Sequence, residues 1–148
     1  MKLFFQRCFL SISFLFCIVS VIFVAYSALF PHGLLSPKLV CKQQQLNMGT
    51  VNVGDEPIGI FTIENQGNGR LIIRDVLSGC PACLEVLEYP EEYIKPGSTA
   101  EIKIRLLTDQ LTGFTHKQII VRSNDPQKPV LPLEVIAIID RNEPVHLE

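Results

Sequence analysis

Two cysteines separated by a proline and an alanine, Cys80-Pro81-Ala82-Cys83, close the run that begins Leu71-Ile-Ile-Arg-Asp-Val-Leu-Ser-Gly79. They are the residues best placed to do chemistry. A thiol–disulfide couple uses this spacing when a helix N-terminus activates the first thiol. A zinc half-site uses it when two further Cys or His ligands complete a tetrahedron. A staple uses it simply to close a loop. The surroundings bear on all three. Leu84 to Tyr89 reads as a strand-like run rather than a helical one, and no strand–helix–strand pattern surrounds the pair. His32, His116 and His146 are isolated from one another, so a zinc site lacks its other half. Leu84 stands where a c-type haem attachment needs histidine. The pair therefore reads as a local disulfide or thiol pair in a loop at the end of a domain, with thiol–disulfide exchange as the alternative. So small a ring removes little chain entropy, and its closure stiffens the loop more than it stabilises the fold.

Other candidates carry less chemistry. Of five cysteines, Cys8 and Cys17 lie inside an apolar run and read as small apolar residues. That leaves Cys41 as the odd, unpaired cysteine, either a buried inert thiol or a link to a neighbouring chain. Glu85, Glu88, Glu91 and Glu92 surround Tyr89 and Tyr93 without the loop spacing of a calcium site, and read as a solvated acidic surface. Ser and His occur without a matching acid, so no catalytic residue is assigned. No cofactor, metal or small-molecule substrate is implied.

The elements that position these residues follow from composition and pattern. A length of 148 residues suits one domain with some chain to spare. Lys2 and Arg7 precede the apolar run and all fifteen acids follow it. The remainder thus carries eleven bases against fifteen acids, the reverse of a nucleic-acid binder. Cys8 to Phe30 contains no charged residue. As a helix it would reach roughly 34 Å, enough for a hydrocarbon core of about 30 Å. The bases before it predict the N-terminus inside and the rest outside the cytoplasm. A cleaved signal peptide is the competing reading, and Ala25-Tyr26-Ser27 offers a small-x-small site. The run is longer than the roughly 7–15 apolar residues of an ordinary signal, which favours an uncleaved anchor. A lipoprotein fits poorly, because Val40 rather than a small residue precedes Cys41. Either way the later cysteines meet an oxidising, periplasmic-side compartment, where a close pair tends to form a disulfide.

The expected organisation is a cytoplasmic segment 1–7, a transmembrane signal anchor 8–30, a linker 31–37, a domain 38–140 and a polar tail 141–148. Within the domain, short alternating runs recur between turn residues. They are Lys38 to Gln45, Leu46 to Val51, Pro57 to Asn65, Leu71 to Val76, Leu84 to Tyr89, Thr99 to Leu107, a run from Gly113, and Val130 to Ile139. Asn65-Gln-Gly-Asn-Gly69 is expected to turn through glycines at positive φ. Pro132 suggests an edge position for the last strand, and Leu71 to Val76 reads as a middle strand. Seven to eight strands and no helix point to an all-β, Ig-like β-sandwich preceded by one transmembrane helix, with a closed barrel as the structural alternative.

Several separated blocks resemble a known family. Leu46-Asn-Met-Gly-Thr-Val51 with Gly54, Phe61-Thr-Ile-Glu-Asn-Gln-Gly-Asn-Gly-Arg-Leu-Ile-Ile73, Pro96-Gly97, Gly113 and Val121-Arg-Ser-Asn-Asp-Pro126 occur in the order of the bacterial domain-of-unknown-function family 1573. The resemblance covers roughly Leu46 to Ile138. It implies an Ig-like sandwich similar to Hydin-type and major-sperm-protein-like domains, often behind a signal peptide or anchor, with no general enzyme activity. The family's usual Ser-Cys-Gly-Cys-Thr block is altered here to Ser78-Gly-Cys-Pro-Ala-Cys-Leu84. The expected role is a protein-binding or scaffolding module whose partners are the membrane and an unidentified protein. Thiol–disulfide exchange at Cys80 and Cys83 is the alternative.

Overall fold

The computed structural model describes Ser20 and residues 35–141. The anchor expected over residues 8–30 and nearly all of the polar tail lie outside the described residues. Among the described residues no helix is long and apolar enough to cross a membrane. A compact unit begins at Leu35, and from there to Arg141 every regular element is a strand.

Eight strands form: β1 (Leu39–Cys41), β2 (Gln45–Asn52), β3 (Ile58–Asn65), β4 (Ile73–Ser78), β5 (Leu84–Glu88), β6 (Thr99–Leu106), β7 (Gly113–Ser123) and β8 (Val130–Asp140). They make two four-stranded sheets, ordered β1-β3-β6-β5 and β2-β8-β7-β4. The alternation of β6 and β8 explains why the sheets face each other. Ile102, Ile104 and Leu106 from one, with Leu131, Leu133 and Val135 from the other, are buried in a single shared core. Each such side chain contributes about 1.5–3 kcal/mol by leaving water. All pairings are antiparallel except β2 with β8, which is parallel. A bulge interrupts that parallel pairing between Asn47 and Thr50, where Gly49 takes a φ of 71°.

Four expectations are corrected. The run Lys38 to Gln45 is not one strand, because β1 ends at Cys41 in one sheet and β2 starts at Gln45 in the other. The polar stretch Lys42-Gln43-Gln44 between them has no apolar residue to hold it on the core. The last strand is not at an edge, since β8 lies between β2 and β7. Pro132 is tolerated because β2 pairs only from Glu134 onward, so no β2 partner waits for the missing N–H. Conversely, β4 is an edge strand rather than a middle one and starts at Ile73, while Leu71 makes a single bridge to Ile94.

The fourth correction concerns Gly67 and Gly69, neither of which has a positive φ; among the described residues that conformation belongs to Gly49, Gly54, Gly97 and Gly113. Their reason is close approach. A Cβ on Gly67 would collide with the Ser36 carbonyl oxygen and lie 2.6 Å from the Lys38 nitrogen, and one on Gly69 would lie 2.8 Å from the Leu35 carbonyl carbon. The turn is thus a seat for residues 35–38.

Candidate functional site

Cys80 and Cys83 sit where the chain crosses from the edge strand β4 to the edge strand β5 of the other sheet. Their sulfurs are at disulfide distance, 2.10 Å, with Cα atoms 5.3 Å apart. The crossing starts partway along β7, where Gly79 donates to the Gln118 carbonyl (2.9 Å), and finishes level with the end of β6, where Leu84 pairs with Leu106. Local hydrogen bonds shape the turn. The Cys80 carbonyl accepts from the N–H groups of Cys83 (2.9 Å) and Leu84 (2.8 Å), and Ser78 Oγ accepts from Cys80 N–H (3.2 Å). The Cys83 carbonyl accepts from Leu107 N–H at 2.8 Å, which extends the ladder between β5 and β6. Pro81 and Ala82 are exposed, whereas Leu84 is fully buried. One helix-like turn therefore leads directly into a strand. Without a following helix, no aligned peptide dipoles stand behind either sulfur to favour a thiolate.

Cys41 is far from that chemistry. It is a free thiol, buried at the sandwich core, and its Sγ donates to the Gln43 carbonyl at 3.2 Å. Burial pushes its pKa up, outweighing that hydrogen bond and the nearby Lys128 charge, so the thiol stays protonated. Among the described residues no group of three or more His, Cys, Asp or Glu is placed to hold a metal ion.

The two outer faces of the sandwich differ. On the β1-β3-β6-β5 sheet, Lys103 meets Glu88 at 2.8 Å, and Arg105 meets both Glu85 (3.3 Å) and Glu56 (3.7 Å). Half of the acidic surface expected around Tyr89 is thus paired across strands β5 and β6. The hydrogen bond to Glu88 raises the Lys103 pKa. Glu91 and Glu92 border an open depression of about 490 Å³ lined by residues 86–92, and Tyr93 lies under the Arg70 guanidinium at 4.4 Å. On the outer face of the β2-β8-β7-β4 sheet, Phe114 stands opposite Ile138, and they are 72% and 52% exposed. Leu77 is exposed beside the half-buried Ile120, with exposed Pro132 on the far side of Ile120. His116 lies between these groups, on the same face, 3.5 Å from Glu134. Sequence reading passed over Phe114 and Ile138. The signal was there: apolar residues out of phase with the inward set of β7 and β8.

Two buried polar residues hold the end of the sandwich at which residues 35–38 join. The fully buried Asn65 donates to the carbonyls of Gly69 (2.8 Å) and Ile94 (2.9 Å), and its Oδ1 accepts from Lys38 N–H (3.3 Å) and Gly67 N–H (3.0 Å). Asp125 Oδ2 accepts from Leu39 N–H (2.8 Å), and its Oδ1 accepts from the N–H groups of Gln127 (2.8 Å) and Lys128 (3.2 Å). Burial alone would raise the Asp125 pKa. The three backbone donors and Lys38 overcome it and hold the carboxyl below its ordinary value.

Comparison with known proteins agrees with this architecture. No curated protein sequence matches the chain. A crystal structure of a protein of unknown function from Porphyromonas gingivalis W83 has a TM-score of 0.62 at 24% identity, covering 74% of this chain and 50% of that one. The chain thus spans half the length of that protein. The ASH / PapD-like domain of human CEP192 (PapD-like domain 7) has a TM-score of 0.55 at 14% identity, covering 73% of this chain and 89% of that one. Vibrio cholerae VesB protease has a TM-score of 0.54 at 14% identity, covering 71% and 32%. At such identities the likeness is one of fold. Residues 39–136, well over half of the sequence, match the family model described as Protein of unknown function (DUF1573), and the chain belongs to that family.

Proposed function

We propose that the chain is a membrane-tethered module, held outside the cytoplasm by residues 8–30, whose sandwich binds or scaffolds a protein partner. The observation that carries the binding reading is the cross-strand pair Phe114 and Ile138, large and apolar on the solvent face of a sheet. Single exposed apolar residues are ordinary, but a paired set with Leu77 and Pro132 on the same face marks an interaction surface. Sheet faces of this kind bury aromatic anchors when a partner docks. The Cys80–Cys83 pair serves here as a brace on the crossing between the sheets. The strand that follows it supports bracing over thiol–disulfide exchange.

The test is affinity capture of the full chain from detergent-solubilised membranes. Phe114→Glu with Ile138→Lys is expected to lose the captured protein, while Cys80→Ser with Cys83→Ser keeps it. An unchanged partner set in the surface variant would sink the binding-face reading. Mixed disulfides trapped by Cys83→Ser alone would replace it with exchange chemistry.

A further inference from the structure

The two ends of the sandwich carry opposite charge. Loops 66–70, 93–98 and 123–129 share the end where residues 35–38 join. They are tied together by Asn124 Nδ2 donating to the Arg70 carbonyl (3.0 Å), by the Leu71–Ile94 bridge, and by the Asn65 and Asp125 hydrogen bonds described above. These segments carry four exposed bases, Lys38, Arg70, Lys95 and Lys128. None of the ion pairs among the described residues uses them. Against them stand Glu91 and Glu92, exposed just before Tyr93 in the loop between β5 and β6, while Asp125 is buried and directed at backbone N–H groups. Leu35, Ile72, Tyr93 and Val130 add exposed apolar side chains around them. At the opposite end, residues 53–57 and 107–112 with the close of β8 carry Asp55, Asp109 and Asp140 against Arg141, with Glu56 paired to Arg105.

The chain leaves little slack at the basic end. Ser36 N–H donates to Asn68 Oδ1 (2.8 Å), and its carbonyl accepts from the N–H groups of Asn68 (3.0 Å) and Gly69 (3.1 Å). Pro37 is buried. A tether between Phe30 and Ser36 has therefore five residues between its ends, at most about 22 Å of extended chain.

We propose that this basic, apolar-studded end is a membrane-contact surface that docks on anionic phospholipid headgroups. The inference rests on the reading of residues 8–30 as an anchor. Lys and Arg near an anionic bilayer each strengthen its attraction about fivefold. The apolar side chains supply the interfacial contact that a purely electrostatic approach lacks. The acidic far end is repelled from the same surface, so the charge polarity sets an orientation as well as an affinity. The loops that face the bilayer are then 66–70, 93–98 and 123–129, and the loops presented away from it are 53–57 and 107–112.

The test places the full chain in liposomes of neutral phosphatidylcholine or of phosphatidylcholine with phosphatidylglycerol, and follows backbone hydrogen exchange. Exchange at the tips of loops 66–70 and 93–98 is expected to slow at least fivefold on the anionic bilayer. Loops 53–57 and 107–112 are expected to exchange alike on both. High salt, and separately the exposed substitutions Arg70→Gln, Lys95→Gln and Lys128→Gln in a chain with unchanged melting temperature, are expected to remove the difference. Equal exchange on both bilayers in a chain that resists carbonate extraction overturns the docking surface alone. Extraction by carbonate overturns the anchor and the docking surface together.

Discussion

At the joining end, two buried side chains satisfy seven backbone groups: four at Asn65 and three at Asp125. At the far end one hydroxyl has the corresponding role. The buried Thr108 accepts from Gly54 N–H (2.9 Å) and donates to the Asp55 carbonyl (2.6 Å). Both ends solve the same problem, because loops that leave a sheet must still pair their backbone groups. The difference lies in what is held. The far-end hydroxyl secures one turn, whereas the joining end secures three loops and the incoming chain. An amide suits that task, since it donates and accepts at once, and a carboxylate suits a cluster made only of donors.

This contrast can be broken in graded steps. Asn65→Ala should have the largest effect, about 3–5 kcal/mol, because it leaves backbone groups of residues 38, 67 and 69 unpaired and removes one of the two donors to the Ile94 carbonyl. Urea denaturation should show the loss, and proteolysis should reach residues 35–38 in the native state. Asp125→Ala should follow at about 2–4 kcal/mol.

Asp125 also gives the joining end a pH dependence. Its folded carboxyl lies below the ordinary value of 3.8. The stabilisation is therefore complete above that value and disappears as pH falls through the lower, folded one. The stability gap between wild type and Asp125→Asn should be constant from about pH 5 to 7 and shrink below about pH 3.5. A gap that persisted in acid would show that charge has no part in the clamp. Thr108→Val should cost least, about 1–2 kcal/mol, with the loss confined to the far-end turn in hydrogen exchange. If Thr108→Val cost more than Asn65→Ala, the ranking of the two ends would be reversed.

The sequence made some of this legible and hid the rest. The alternating run Thr99 to Leu107 identified β6 almost to the residue. Asn65 was legible only as a turn residue. Its clamp role depends on Lys38 and Ile94, 27 and 29 positions away, and Asp125 meets Leu39 across 86 positions. The edge inferred from Pro132 failed for a related reason. A missing donor reports that one side of one residue is open, not that a whole strand is.

What the sequence by itself determined is local: the number and type of strands, their inward faces, the turns, the family and the uncharged run at the N-terminus. Side-chain alternation and turn chemistry act between near neighbours, and a linear reading captures them. Only the tertiary structure decided the order of strands in each sheet, the parallel pairing of β2 with β8, and the place of the Cys80–Cys83 turn between two edge strands. It alone gathered Lys38, Arg70, Lys95 and Lys128 at one end of a chain whose bases look evenly scattered. Those features come from closing the core. Burial of apolar faces selects one arrangement of the strands, and residues far apart in sequence become neighbours as a consequence.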